Sequence, residues 1–354
     1  MSAIAVFGKM PRAADFVRRG AFTPSMRVFE NWFHDAYTEL RGAGARGLDL
    51  RCQLVFPSPD RHGVIAAVAV PSRDRIGREF PVVVATAVPN TELPRGSAPL
   101  VLSFARFWDA AAAVVGAHQH EEPEDLWQAV QSVAPPNGAE SSDAEQRWAA
   151  LLGNIGAREM EQECFPDPDD RFYAYHTLLL AVRDAPDARV LICPAAGNLG
   201  YRAFWVDLIE RATGNKGPLP IMWLEGAEAP PGILVALGKA PSSMLRYATG
   251  HGRQSSSLWP LTTQNTTARE RAKDALAGDD WSDTEQKLSR LIDVVVGTQL
   301  SAEPFPQTSL IHDGLNPTGD DRRVTGPGTA TGAFRGVPGP QGSCSSLRGP
   351  GGRQ

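Results

Sequence analysis

Between residues 50 and 88 the chain strings together three segments of strand character, 50–56, 62–70 and 80–88, the last two apolar almost without interruption. The second reads HGVIAAVAV and the third FPVVVATAV. A strand with one wet face alternates apolar and polar residues, whereas runs this uniform need cover on both faces. Short, turn-like links join the three, which predicts an antiparallel meander. A sheet covered on both sides is the middle of a layered fold, and helices are the only other elements this chain offers. The expected class is therefore α/β: a three-layer α-β-α sandwich around a mixed, largely antiparallel sheet.

The remaining pattern supplies those helices. A short apolar strand is expected over 2–7, ending at Gly8. A helix then starts at Pro24, where the missing N–H is harmless. Met26, Phe29, Trp32, Phe33, Ala36, Tyr37 and Leu40 give it an aromatic face at three- and four-residue steps. It stops within 42–47. Helices are expected at 100–115, 123–133, 142–159, 201–213 and 281–300, and further strands at 188–193, 221–225 and 232–237. The stretch 173–182 fits either type. After residue 300 Gly, Pro, Ser, Thr and Arg take over. Such a segment buries too little apolar surface to offset an ordering cost of about 1–2 kcal/mol per residue. The expected organisation is one α/β domain over 1–300 and a disordered Gly/Pro-rich tail over 301–354.

Composition narrows the function. The 354 residues carry a formal net charge of −5, too small and of the wrong sign for bulk attraction to nucleic acid or an anionic membrane. No apolar run reaches the roughly 18 residues a bilayer span needs, and the apolar start is too short for a signal-peptide core. A cytoplasmic location is expected. Cys52, Cys164, Cys193 and Cys344 lie far apart without CxxC spacing, as expected of free thiols in a reducing compartment.

Several patterns resemble chemistry and fail on context. Gly42, Gly44 and Gly47 match a dinucleotide fingerprint, but a helix precedes them and a strand follows, the reverse of what that site needs. Gly8-Lys9 and Gly238-Lys239 lack the rest of a phosphate loop. His118 and His120 have no clear third and fourth ligand for a metal. Asn265 opens a glycosylation-type triplet with no meaning in a cytoplasmic protein. No cofactor or metal is expected.

Two segments remain. Residues 8–20 combine Gly8 and Pro11 with Lys9, Arg12, Asp15, Arg18 and Arg19 around the apolar anchor Phe16. Residues 70–81 link two buried strands with Arg73, Asp74, Arg75, Arg78 and Glu79. A tight β-connection does not need so many charges, and guanidinium forks pair with carboxylates in a fixed plane. Three roles stay open for them: a brace for the loop, a partner-binding edge, or an active site built from Asp15, Asp74 and Arg78. The two loops are expected side by side at one end of the sheet, with Asp15 and Asp74 each needing a cation if partly buried.

The same segments resemble the signatures of the type VI secretion-associated TagF family. Gly8, Lys9, Pro11, Asp15, Phe16 and Arg19 are similar to its opening GKxPxxGDFxxR motif. Pro71, Ser72, Asp74, Arg75, Gly77, Arg78, Phe80 and Pro81 are similar to its PSxDRxGRxFP motif. Ser257-Leu258-Trp259 is similar to a later Ser-Leu-Trp element. Ala14 replaces the family's Gly before the Asp, and Arg73 stands where a small residue is usual. The resemblance spans roughly 4–262. It implies a three-layer sandwich and a non-enzymatic protein that restrains type VI secretion after translation by engaging a forkhead-associated scaffold protein. Some relatives carry a fused phosphatase, whose Asp-Gly metal motifs are not seen here. A structural subunit of the secretion baseplate is the third possibility.

Overall fold

In the computed structural model the described residues are 4–298, apart from 21, 185–188, 196, 216, 227–231, 252–254 and 277–286. The expected tail, 301–354, lies outside them, as do Cys344 and the first part of the 281–300 helix. The strands are β1 (Ile4–Gly8), β2 (Val17–Gly20), β3 (Arg51–Pro57), β4 (Gly63–Val70), β5 (Val82–Pro89), β6 (Arg189–Cys193), β7 (Ile221–Glu225), β8 (Ile233–Leu237) and β9 (Leu258–Pro260). They form one nine-stranded sheet in the order β2-β1-β5-β4-β3-β7-β8-β6-β9. Every pairing is antiparallel except β6 with β9. The meander β3-β4-β5 is as expected.

Side-chain alternation divides the sheet into two apolar faces, which is why its strands read as unbroken apolar runs. On β4, Ile65, Ala67 and Ala69 face one core while Val64, Ala66 and Val68 face the other. On β7, Met222 and Leu224 share the first face, and Ile221 and Trp223 the second. The first face is covered by α1 (Pro24–Gly42) and the short α9 (Met244–Ala248). Thr23 caps α1 by accepting from the Met26 N–H at 3.2 Å. Its aromatic stripe meets the sheet: Phe29 and Phe33 lie 6.1 and 6.0 Å from Phe7.

The second face carries the thicker helical layer: α2 (Ala98–Ser103), α3 (Ala105–His118), α4 (Pro123–Val130), α5 (Gly138–Asn154), α6 (Ala157–Cys164), α7 (Asp170–Asp184), α8 (Leu199–Thr213) and α11 (Leu288–Gly297). Trp108 of α3 is fully buried edge-on to Trp223, ring centres 4.8 Å apart. Helix α10 (Thr266–Ala275) docks beside α7, where Ala268 and Ala272 pack on Tyr173. Its cap is Asn265, whose side chain accepts from the Ala268 N–H.

Several boundaries differ from the sequence reading. Residues 17–20, read as loop, form the edge strand β2. The segment 173–182 is helical, within α7. The helix expected over 100–115 begins at Ala98 and breaks at the buried Phe104. By length and composition the stretch Ala98–His118 is apolar enough to cross a membrane, although Arg106 and Asp109 interrupt it; more than half of it is buried in the second core. The helix expected over 142–159 breaks at Ile155. The Ile155 carbonyl accepts from the Leu288 N–H at 3.2 Å, and Gly156 bridges to Lys287. That partner is 133 residues away and leaves no local trace. Helices α9 and α10 and strand β9 were not read at all. Cys52, Cys164 and Cys193 are free and buried. Burial raises all three thiol pKa values, that of Cys164 to about 12.

Candidate functional site

Both charged segments leave the same end of the sheet, where β1 and β5 pair. Gly8, at φ 139°, closes β1 against the second loop so tightly that a Cβ there would sit 2.1 Å from the Pro81 carbonyl oxygen. Only glycine allows this approach. The Arg75 N–H then donates to the Ala13 carbonyl at 3.1 Å, and Arg78 Nη2 to the Ala14 carbonyl at 2.6 Å. The two loops are one unit.

Asp74 is its centre, with a side chain entirely shielded from solvent. Its Oδ1 accepts from the Ile76 and Arg78 N–H groups at 3.1 and 2.8 Å, and its Oδ2 from Arg78 Nε at 2.6 Å. Lys9 Nζ completes the set at 3.4 Å from Oδ2. Gly77, at φ 85°, makes the turn between these donors. Burial pushes the Asp74 pKa up. The Arg78 backbone and side-chain hydrogen bonds, the Ile76 N–H and the Lys9 charge more than reverse this, holding it at about 2.

Aromatic contacts fix the unit to α1. Phe80 is buried and lies 5.3 Å from Phe16, 4.7 Å from His34 and 4.7 Å from Tyr37, centre to centre. Arg12 joins the loops to the end of α3, its Nε donating to the His120 carbonyl at 2.9 Å.

Other residues of the signature segments behave differently. Asp15 is exposed and takes no cation among the described residues, while Arg78 Nη2 reaches the neighbouring Ala14 carbonyl. Of Asp15 and Asp74, each expected to need a cation if partly buried, Asp74 is buried and has two, and Asp15 is exposed and falls outside that condition. Arg19 lies on the exposed edge strand β2, 3.5 Å from Glu124. Trp259 stands on β9, at the far edge of the sheet from β2, buried with its indole N–H on the Ser256 carbonyl and Arg189 over its ring at 4.2 Å.

Between the loops, α1 and the end of α3 lies a cleft of ≈ 230 Å³. Pro11, Pro71 and Pro81 line it with Tyr37, Ser72 and Asp49. Leu48, Arg73, Glu79, Gln119 and His120 also line it, whereas Asp15, Asp74 and Arg78 do not. Sequence reasoning missed Tyr37, Asp49 and Gln119. Tyr37 sat in the helix's apolar stripe and read as core, and nothing local ties Asp49 or Gln119 to the loops. Among the described residues, no group of three or more His, Cys, Asp or Glu could hold a metal.

Residues 5–133 match the family model of the TagF N-terminal domain, described as type VI secretion system-associated. Both loops and the whole cleft fall within this stretch. Among solved structures, the crystal structure of PA0076 from Pseudomonas aeruginosa PAO1 is similar, at 17% identity and a TM-score of 0.42, covering 70% of this chain and 95% of that one. No curated protein matches the chain.

Proposed function

We propose, from the premise that this chain is a type VI secretion-associated TagF-family protein over residues 5–133, that it restrains secretion after translation by binding a component of the machinery. A forkhead-associated scaffold protein in the cytoplasm is the partner the family resemblance favours. The role is non-catalytic.

One observation carries this reading. Ile76, at the tip of the second loop, is 66% exposed, more than any other large apolar side chain among the described residues. Its backbone is not free to collapse, because Asp74 holds the Ile76 N–H from below. Arg73, Arg75 and Glu79 stand exposed around it. An apolar anchor on a pre-ordered loop with a charged rim is the anatomy of a protein contact: the anchor supplies affinity, and the rigid loop lowers the ordering cost. Asp74 serves the contact indirectly, as the brace that presents it.

The test is Ile76→Asp. The variant should keep its melting temperature, since the side chain is 66% exposed. It should lose the copurifying secretion component and release secretion in the native cell. Loss of an interface anchor is worth about 2 kcal/mol, roughly 30-fold in affinity. A folded Ile76→Asp protein that still represses secretion and still captures its partner would sink the proposal.

A further inference from the structure

Most charges of the two loops are spent inside the fold. Glu79 pairs with Arg41 at 3.0 Å, Arg12 with Glu122 at 3.6 Å, Arg18 with Glu30 at 2.8 Å and Arg19 with Glu124 at 3.5 Å. The buried carboxylate of Asp74 faces two cations, Arg78 and Lys9, so one positive charge is left over. Arg73 and Arg75 add two: both are exposed, and neither side chain has an ion pair among the described residues. Asp15, exposed and likewise unpaired, removes one. The loops and the groups they pair with therefore keep two surplus positive charges, on a chain whose formal net charge is −5.

The surplus sits at the apolar tip. Arg75 adjoins Ile76, and Arg73 lies on the other side of Asp74 in the same turn. The backbone beneath them is closed. The Asp74 N–H donates to the Arg78 carbonyl at 3.0 Å, the Arg75 N–H to the Ala13 carbonyl at 3.1 Å and the Gly77 N–H to the Asp74 carbonyl at 3.0 Å. The Ile76 and Arg78 N–H groups are on the Asp74 carboxylate. Every backbone donor from 74 to 78 is thus in use, and recognition of an anion falls to the two guanidiniums, whose forks fit carboxylates in a plane.

The size of the surplus separates the classes of partner. A grip on nucleic acid spreads over roughly six to ten phosphates, and attraction to anionic lipid over clusters of about four to eight basic residues. Two surplus charges are too few for either, and Ile76 has no ring to stack on a base. An apolar tip flanked by arginines fits a protein surface, where an apolar contact is rimmed by complementary charge.

We propose that the tip formed by Arg73, Arg75 and Ile76 docks on an acidic face of its protein partner, with Asp or Glu carboxylates meeting the two arginines around Ile76. This rests on the docking reading above and adds the charge of the partner's surface.

The isotopically labelled full chain is titrated at low salt with poly(Glu,Tyr), an acidic copolymer with apolar side chains, and with poly(Lys,Tyr) and transfer RNA as comparators. The glutamate copolymer should shift the amides of residues 73–78 saturably. Arg73→Gln with Arg75→Gln should weaken it ~10-fold or more, and Arg73→Lys with Arg75→Lys should keep most of the affinity. Raising the salt to about 0.5 M should weaken the wild type in the same way. Arg27→Gln with Arg158→Gln removes the same charge from exposed positions elsewhere and should change the affinity less than ~2-fold. All these side chains are exposed and unpaired, so the variants should fold. Shifts away from the tip, equal binding by the Arg73→Gln, Arg75→Gln variant, or tighter binding of the lysine copolymer or transfer RNA at the tip would overturn the assignment. In the native cell the Arg73→Gln, Arg75→Gln variant should release secretion. Repression kept by that variant but lost by Ile76→Asp would overturn the acidic partner and leave the docking reading standing. Repression kept by Ile76→Asp, with the copolymer results as expected, would remove the docking reading and leave an acid-binding tip.

Discussion

Mild acid should weaken this protein through a single buried histidine. His176 lies on α7, 4% exposed in the core under the second face. Burial, followed by the charge of Arg183, lowers its pKa from 6.5 to about 4. The folded chain therefore refuses a proton that the unfolded chain accepts. A histidine with a depressed folded pKa contributes fully above pH 6.5, and its contribution falls as pH drops through the window from 6.5 to about 4. Between pH 7.5 and 5.0 the linkage amounts to about 2 kcal/mol, a large share of an ordinary stability of about 5–15 kcal/mol. Urea unfolding of the wild type and of His176→Gln at both pH values gives the measurement. Asp74, Asp170, Glu210 and His34 titrate in both proteins and cancel in the difference of differences. The variant should be less stable at pH 7.5 but lose about 2 kcal/mol less than the wild type on acidification. If the two lose the same amount within about 0.5 kcal/mol, burial of His176 is not what sets its protonation.

Three further outcomes follow from the loops and the chain end. Gly8→Ala should cost on the order of 2–4 kcal/mol in urea unfolding, because the new methyl meets the Pro81 carbonyl at a backbone angle side chains rarely adopt; a neutral result would mean the two loops part easily. Asp74→Ala should lower the melting temperature far more than Asp15→Ala, since only Asp74 is buried and fully bonded; equal effects would refute the bracing role. Truncation after Leu310, proposed from composition alone, should move the melting temperature by no more than about 2 °C; a drop of ten degrees or so would show that the tail docks.

Local pattern by itself determined a good part of this protein. The apolar runs at 62–70 and 80–88 can only be strands covered on both faces, and the aromatic stripe from Met26 to Leu40 can only be a helix lying on them. Pro24 marks where that helix starts. The charges of residues 8–20 and 70–81 exceed what a connection needs, and that excess marked the site. These features are legible because their cause is local: periodicity, turn chemistry and burial of a run of neighbours. What the tertiary structure decided has causes far away in the chain. Residues 17–20 became a strand only because β1 offers its edge, and β9 only because β6 accepts it in parallel. Helix α5 stops at Ile155 because residues 287–288 take its backbone groups. Most of all, Tyr37, Asp49, Ser72 and Gln119 meet only when α1, the loop after it, the second signature loop and the end of α3 close on one cleft. Each residue alone reads as core or surface. A cleft of this kind is a property of distances between segments, and segment-to-segment distance is what the order of residues along a chain does not encode locally.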